Sequence, residues 1–138
     1  MGREIKFRVW DTRIMITKSI HDDYDDYYML DLQGNFFGHT RTGDEWFEYD
    51  KDETNKTPFV LMQFTGLKDA EINGKEVFEG DIIENCDTKL LQIVYWDEQK
   101  AAWFCQYNES KRTVSLDNSL GNLNKVIGNI YENSDLLK

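Results

Sequence analysis

The stretch that decides the fold runs from Phe59 to Asp97. It begins FVLMQFTGLKD, reaches an Asn-Gly pair at 73–74, continues KEVFEGDII over 75–83 and ends IVYWD over 93–97. An Asn-Gly pair between apolar runs predicts a hairpin with a two-residue type I′ turn, because such a turn needs two residues that tolerate positive φ. Gly66, Gly74 and Gly80 have the spacing of turn residues, and Gly80-Asp81 marks a second reversal before the next apolar run. Strands separated by tight turns predict a small antiparallel barrel or sandwich.

On both sides of this stretch, the sequence also has the patterns that predict short strands. In residues 4–10 the apolar Ile5, Phe7 and Val9 alternate with polar residues and Trp10, which predicts a half-buried strand. A second strand over 14–20 completes an opening hairpin. Further strands are predicted at 27–32, 36–40, 45–49, 81–86, 90–96, 101–107, 111–116 and 125–131, with turn residues between them. No long segment holds a 3.6-residue period, so helix is expected to be scarce, apart from a short turn at 117–122.

The sequence therefore predicts an all-β protein with two portions. The polar segment 50–58 contains the only proline and is the best candidate for a boundary. Residues 1–58 are predicted to form a strand-rich N-terminal portion with acidic loops. This portion is expected to pack against a small C-terminal barrel formed by residues 59–138.

The chain is strongly acidic, with 26 Asp and Glu against 16 Lys and Arg and a net charge of −10 over 138 residues. Residues 21–53 carry 11 of the acidic side chains and only Arg41 and Lys51 as basic ones, for a formal charge of −9. Because binding to nucleic acid depends on Lys and Arg neutralising phosphates, the composition disfavours direct nucleic-acid binding and an anionic membrane surface.

Compartment signals favour the cytoplasm. No run approaches the ~20 apolar residues of a membrane-spanning helix, and the first residues lack the apolar core of a signal peptide. Cys86 and Cys105 fit no metal or redox spacing and are expected to be buried free thiols in a reducing cytosol.

The candidate reactive residues do not form a recognisable centre. The acidic runs at 22–26 and 50–52 lack the glycine and the distal Glu that a calcium loop needs. His21 and His39 have no zinc-binding spacing, and no glycine-rich phosphate loop is present. The sequence thus predicts a hydrated acidic face, with no catalytic residue, no metal site and no cofactor.

An interaction surface is the more specific prediction. Trp10 lies on the polar face of its predicted strand and Trp46 lies inside the acidic region, so both are candidates for exposed or interface aromatics. The predicted surface combines these two with neighbouring carboxylates and consists of Trp10, Asp44, Glu45, Trp46, Glu48 and Asp50.

Four blocks of the chain resemble the YopX family of phage and prophage proteins. They are 3–11 (REIKFRVWD), 63–83 (QFTGLKD through NGKEVFEGDII), 94–103 (VYWDEQKAAW) and 126–133 (VIGNIYEN). The resemblance implies a small β protein carried by phages and prophages of Gram-positive bacteria, whose C-terminal half, from about Phe59, resembles an SH3-like barrel. It brings no established activity and no catalytic residues. One departure is the segment Ala70-Glu71-Ile72, which lengthens the spacing before the Asn-Gly pair and puts the geometry of that hairpin in question.

These observations favour a non-enzymatic phage accessory protein that acts as a protein-interaction module in the host cytoplasm, with an unidentified protein partner. Three alternatives remain open. Exposed strand edges must be covered, which is compatible with an oligomeric structural component, for example a homo-oligomer. The acidic face is compatible with a DNA mimic that inhibits a host nucleic-acid-binding protein. The carboxylates are compatible with a metal-assisted hydrolase.

Overall fold

The computed structural model describes residues 4–17, 20–21, 26–39, 46–48, 59–69, 74–117 and 124–138, and for 20–21, 26–27 and 46–48 it describes the backbone alone. Regular structure in these ranges is almost entirely β strand, so the all-β prediction is confirmed. Internal contacts divide the chain into two units. The first contains Phe7–Leu61, and the second contains Met1–Lys6 together with Met62–Lys138.

The unit Phe7–Leu61 is built from antiparallel hairpins. Strand β1 pairs with β2 through Val9 and Ile16, as predicted for the opening hairpin. Strands β3 to β6 form a meander in which each pairs with the next, and the predicted turn at 33–35 joins β4 to β5. The strands are β1 (Phe7–Trp10), β2 (Met15–Ile16), β3 (Ile20–His21), β4 (Asp26–Leu30), β5 (Phe36–His39) and β6 (Trp46–Glu48).

The core of this unit is small and aromatic. Val9, Ile16, Tyr28 and Phe36 are buried, and the Tyr28 and Phe36 rings stack with their centroids 5.6 Å apart. Such ring pairs contribute ~0.5–1.5 kcal/mol beyond the burial of their area.

The predicted burial pattern of β1 is partly wrong. Val9 is buried as expected, but Phe7 is 40% exposed and Ile5 is 65% exposed, whereas the nominally outward Arg8 is only 9% exposed. Phe7 shares the face of Val9 and lies at the rim of an open apolar hollow of about 120 Å³. The alternation of apolar residues therefore identified which face of β1 contacts the core. It did not show that burial on this face stops before Phe7.

The second unit contains a hairpin and a five-stranded sheet. Strand β7 pairs antiparallel with β8, and the sheet has the order β12-β11-β10-β9-β13 with antiparallel neighbours. The elements are β7 (Val60–Lys68, whose first two residues count with the other unit), β8 (Glu76–Phe78), β9 (Asp81–Asn85), β10 (Leu91–Asp97), β11 (Ala102–Tyr107), β12 (Thr113–Ser115), β13 (Asn124–Asn129) and the 3-10 turn η1 (Ser134–Leu137).

One face of the five-stranded sheet supplies the core of this unit. Val94 and Cys105 lie opposite each other on β10 and β11, with Val114 next on β12, so alternate residues of three strands point to the same side. Ile83 and Val126 continue this face, and Val77 and Leu116 pack against it. Burying each large apolar side chain stabilises the fold by ~1.5–3 kcal/mol. Cys105 is buried as predicted and is in no disulfide bond, whereas Cys86 is only half-buried and lies in a turn.

Two of the three predicted glycine turns differ from expectation. The β7–β8 hairpin exists, but it closes at Asp69 and Lys75, and φ at Gly74 is not positive, so the two-residue type I′ turn is wrong. Gly66, expected in a turn, lies inside β7 at a register shift with φ +88°, a conformation that suits a glycine at a β bulge. Gly80, with φ +85°, makes the predicted reversal before β9.

Three predictions about the architecture are not decided by these strands. The likeness of the C-terminal half to an SH3-like barrel and the boundary between residues 58 and 59 stay predictions. Leu116 and Asp117 are helical, and the remainder of the predicted helical turn, 118–122, lies outside the described residues.

Candidate functional site

The predicted acidic surface falls mostly outside the described part of the chain. Asp44, Glu45 and Asp50 lie outside it, and Trp46 and Glu48 belong to β6, where the backbone alone is described. Trp10 is half-buried on β1. This surface therefore stays a prediction.

Most of the carboxylates discussed below accept hydrogen bonds that close turns. Asp11 accepts hydrogen bonds from the N–H groups of Arg13 and Ile14 at 3.0 and 2.9 Å. Asp97 accepts from Gln99 and Lys100, both at 3.0 Å. Asp and Asn favour such positions because a short side chain with an oxygen acceptor satisfies the amides of the following turn. The Val-Trp-Asp and Tyr-Trp-Asp sequences that resemble the family are therefore strand-to-turn junctions.

Two buried carboxylates hold neighbouring segments together. Asp69 accepts from the Lys75 N–H at 2.9 Å and from the Val126 N–H, on β13, at 3.0 Å. Asp81 is 1% exposed and accepts from the Phe78 N–H at 2.7 Å. These hydrogen bonds compensate for the loss of hydration when a carboxylate is buried. Asp69 thus connects distant segments of the chain, whereas Asp81 closes the turn between β8 and β9.

The block 128–133 is also structural. Asn129 accepts from the N–H groups of Tyr131 and Glu132, and its own N–H donates to the Asn133 side chain at 3.1 Å. A Cβ at position 128 would lie 2.4 Å from Asn133 Oδ1. Glycine at 128 is therefore required by the close approach of the Asn133 side chain.

A cleft of about 370 Å³ lies at one end of the five-stranded sheet. Two turns and the C-terminal 3-10 turn form its walls. The Asn108 N–H donates to the Leu91 carbonyl at 2.9 Å, which joins the start of the β11–β12 turn to the start of β10. The Asn108 side chain donates to the Leu137 carbonyl at 3.1 Å and so holds η1 against the same turn.

The two turns beside the cleft have the same construction. In the β9–β10 turn the Lys89 N–H donates to the Asn85 carbonyl, and in the β11–β12 turn the Lys111 N–H donates to the Tyr107 carbonyl. Both lysines have left-handed φ, at 63° and 61°. Glycine would take that conformation without steric cost, whereas other L residues do so at ~1–2 kcal/mol.

The lining of the cleft combines apolar and cationic side chains. Leu90 is 44% exposed, Leu136 is 38% exposed and Tyr107 is half-buried. The charged residues of the lining are Lys89, Arg112 and Lys138 against Glu109. Among the side chains of the lining, three are positively charged and one is negatively charged.

The cations of the cleft are weakly neutralised by the protein itself. Lys89 Nζ lies 4.0 Å from Glu84 Oε1, with its side chain 68% exposed. Arg112 and Lys138 form no ion pair with any residue in the part of the chain that the structure describes. Their charge remains available to an anionic ligand.

Sequence reasoning missed this cleft. Its residues come from segments around 90, 110 and 137, and no local motif links them. The β10–β11 register, with Gln92 opposite Tyr107, places the two turns side by side. The chain contains no signal for that register beyond the lengths of the strands and turns.

Within the described ranges, no group of three or more His, Cys, Asp or Glu side chains is arranged to hold a metal ion. Likewise, none of the helical segments in those ranges has the length and apolar character that crossing a membrane requires.

Comparison with known proteins gives a family and a fold. The model of the family described as "YopX protein" matches residues 6–138. A crystal structure of protein EF1440 from Enterococcus faecalis is similar, with a TM-score of 0.57 and 24% identity over 99% of this chain and 100% of that one. The crystal structure of protein yopX from Bacillus subtilis has a TM-score of 0.54 and 20% identity, over 96% and 97% of the two chains. No curated protein matches the chain.

Proposed function

The chain belongs to the YopX family, and from that premise we propose that it is a non-enzymatic protein-interaction module of phage or prophage origin. The observation that carries this proposal is the open cleft beside the β11–β12 turn, whose lining contains both apolar and cationic side chains. Ligand sites combine apolar lining with a few placed polar groups in this way. Cys86 and Cys105 are not joined in a disulfide, which supports a role in the reducing cytoplasm of the host.

The cleft is suited to hold a partner rather than to transform it. Acid–base or nucleophilic catalysis requires a reactive group next to an oriented base. The only acidic side chain in the lining, that of Glu109, is exposed, and Asn108 and Ser110 already hydrogen-bond the backbone of Leu137 and Arg112. Cations and exposed leucines, by contrast, are the elements of a recognition site.

Site-specific photo-crosslinking tests the proposal. A photoreactive amino acid is placed at Glu109, in the cleft, or at Gln99, an exposed residue of the equivalent turn at the opposite end of β10 and β11. In lysate of a Gram-positive host, the residue-109 protein is expected to give a discrete adduct that the residue-99 protein lacks. Equal labelling from both positions, or none from position 109, would contradict the proposal.

The predicted acidic surface is a second candidate, and the charge of −9 over residues 21–53 favours it. A concentrated acidic face accelerates association with a basic partner. A DNA mimic that occupies a host nucleic-acid-binding protein is the sharper form of this candidate. Replacing Asp44, Glu45, Glu48 and Asp50 by their amides is expected to abolish recovery of such a partner, and unchanged recovery would exclude these four carboxylates from binding.

A further inference from the structure

We propose that the cleft binds an acidic segment of a partner protein, with a carboxylate of the segment on Arg112 and an adjacent apolar side chain against Leu90 and Leu136. This inference rests on the proposed function, because it names the chemistry of the partner that the same cleft would hold. We refer to Lys89, Arg112 and Lys138 below as the cationic rim.

The first argument is charge. The cationic rim places three positive groups around one cleft, and Glu109 is the only acidic side chain in its lining. With 26 acidic residues in the chain, Arg112 and Lys138 nevertheless remain without an ion pair among the described residues. A guanidinium presents paired N–H donors that match the two oxygens of a carboxylate, so Arg112 is the group best suited to fix the anion.

The second argument is the apolar surface beside the cations. Leu90 and Leu136, which line the cleft, are 44% and 38% exposed, and Tyr107 of the same lining is half-buried. An apolar side chain of a ligand would remove this surface from water, which contributes ~25 cal/mol for each Å² buried. An inorganic anion would leave that surface exposed, so the cleft favours an anion that carries an apolar neighbour.

Size and net charge favour a short protein segment over a nucleic acid. A volume of about 370 Å³ is at the lower end of ligand sites and accommodates one or two side chains. Affinity for nucleic acid comes from neutralising many phosphates along the strand. Three cations in one cleft of a protein with net charge −10 do not provide such a track.

The backbone at Lys89 provides a sharp test. Its φ of 63° is better suited to glycine, so Lys89→Gly relieves conformational strain while it removes one cation of the rim. Residues in such conformations occur at functional sites, although Thr12 and Ala101 show that the conformation alone does not define one. We expect Lys89→Gly to raise the thermal midpoint of the protein and to weaken binding of the acidic segment.

The experiment uses the full chain and fluorescein-labelled eight-residue peptides, measured by fluorescence anisotropy. One peptide alternates Glu with Leu, the second replaces Glu by Gln, the third replaces Leu by Ser, and the fourth replaces Glu by phosphoserine. The Glu-Leu peptide is expected to bind at least tenfold more tightly than the Gln-Leu and Glu-Ser peptides. A tighter phosphoserine peptide would identify a phosphorylated acidic segment, which supports the same anion site.

The variants locate the binding. Arg112→Gln is expected to weaken the Glu-Leu peptide at least tenfold. Lys100→Gln removes the same charge from the equivalent turn at the other end of the strands and is expected to change the affinity less than twofold. Equal effects of the two variants, equal binding of the Gln-Leu peptide, or stronger binding of a single-stranded oligonucleotide would each overturn the inference.

The outcomes separate this inference from the proposed function. If the residue-109 protein still forms its discrete adduct in lysate while no acidic peptide binds, the cleft is an interaction site and the ligand chemistry proposed here is wrong. If position 109 gives no adduct, the proposed function itself fails.

Discussion

At the scale of single residues, Asp11 shows how a buried carboxylate serves the fold. Burial by itself would raise the pKa of Asp11, but hydrogen bonds from the Ile14 and Arg13 N–H groups, together with the Arg13 guanidinium at 3.1 Å, outweigh it and lower the pKa. When folding lowers the pKa of a carboxyl group, the charged carboxylate stabilises the folded protein at pH values above the pKa of the unfolded state. This stabilisation is lost as the pH falls through the pKa of the folded state.

Asp11→Asn keeps the shape of the side chain and removes its charge. We expect it to lower the free energy of unfolding by about 1 kcal/mol at neutral pH, because hydrogen bonds to a charged acceptor become neutral ones. The difference between the two proteins should shrink as the pH falls below 3.8, the reference pKa of the carboxyl. Urea unfolding across this pH range measures the difference in free energy of unfolding. Asp87→Asn, at an exposed position, is the control for the loss of one negative charge. A difference that stays constant with pH would contradict this account.

A second residue-scale prediction concerns Gly128 and Asn133. Gly128→Ala would place a Cβ 2.4 Å from Asn133 Oδ1, so we expect it to cost about 1–3 kcal/mol by overpacking. Asn133→Ala removes the clashing atom, but also the hydrogen bond from the Asn129 N–H. If the Asn133 side chain is the cause, the double variant should lose less stability than the sum of the single ones, as measured by chemical denaturation. Additive losses would mean that position 128 needs glycine for another reason.

At the scale of elements, Asp69 connects the β7–β8 hairpin to β13. Its two oxygens accept from different amides, those of Lys75 and Val126, and the residue is buried. Asp69→Asn presents an N–H₂ group to one of these donors, which leaves one of the two amides without its acceptor, and should cost about 1–3 kcal/mol. Hydrogen exchange should accelerate at the amides of Lys75 and Val126.

The matched comparison for this change is Asp97→Asn in the β10–β11 turn. There a single oxygen, Asp97 Oδ1, accepts hydrogen bonds from the N–H groups of both Gln99 and Lys100. An Asn side chain can therefore retain both hydrogen bonds. We expect a loss below about 0.5 kcal/mol, typical of surface substitutions. Equal losses for the two variants would show that charge, rather than the division of the two oxygens between donors, determines the effect.

The sequence predicts those elements that depend on neighbouring residues better than those that depend on contacts between distant residues. Alternation and turn residues are local, so they located the hairpins of β4 with β5 and of β10 with β11. The loop before Lys75 was missed because its closure depends on the Asp69 side chain, and the end of burial on β1 depends on what packs there. The cleft depends on strand register and on the hydrogen bond from Asn108 to Leu137, which no local pattern encodes.

At the scale of the whole molecule, net charge is the dominant physical property. A charge of −10 on 138 residues repels itself in the compact state, and salt screens this repulsion. The Debye length falls from about 30 Å at 0.01 M to about 8 Å at 0.15 M ionic strength, so distant like charges cease to interact over this range. Short ion pairs such as that between Lys6 and Glu76, with side chains 38% and 34% exposed, are weakened by the same screening.

Salt weakens both the repulsion from the net charge and the attraction within ion pairs, and the relative size of these two effects determines how salt changes the stability. Four ion pairs are resolved among the described residues, and pairs at exposed sites contribute a median of about 0–1 kcal/mol each. The excess of ten negative charges acts over the whole chain, so we expect the thermal midpoint to rise as NaCl increases from about 0.01 to about 0.15 M. Differential scanning fluorimetry measures the midpoint, and sucrose of equal osmolality controls for effects that do not depend on charge.

Binding of the Glu-Leu peptide by the cationic rim should respond in the opposite direction, because the same ions screen its attraction to Lys89, Arg112 and Lys138. Its affinity should therefore fall over the salt range in which stability rises. A midpoint that falls with salt would mean that local ion pairs outweigh net repulsion in this fold. An affinity that does not change would mean that the apolar part of the cleft supplies the binding energy without the cations.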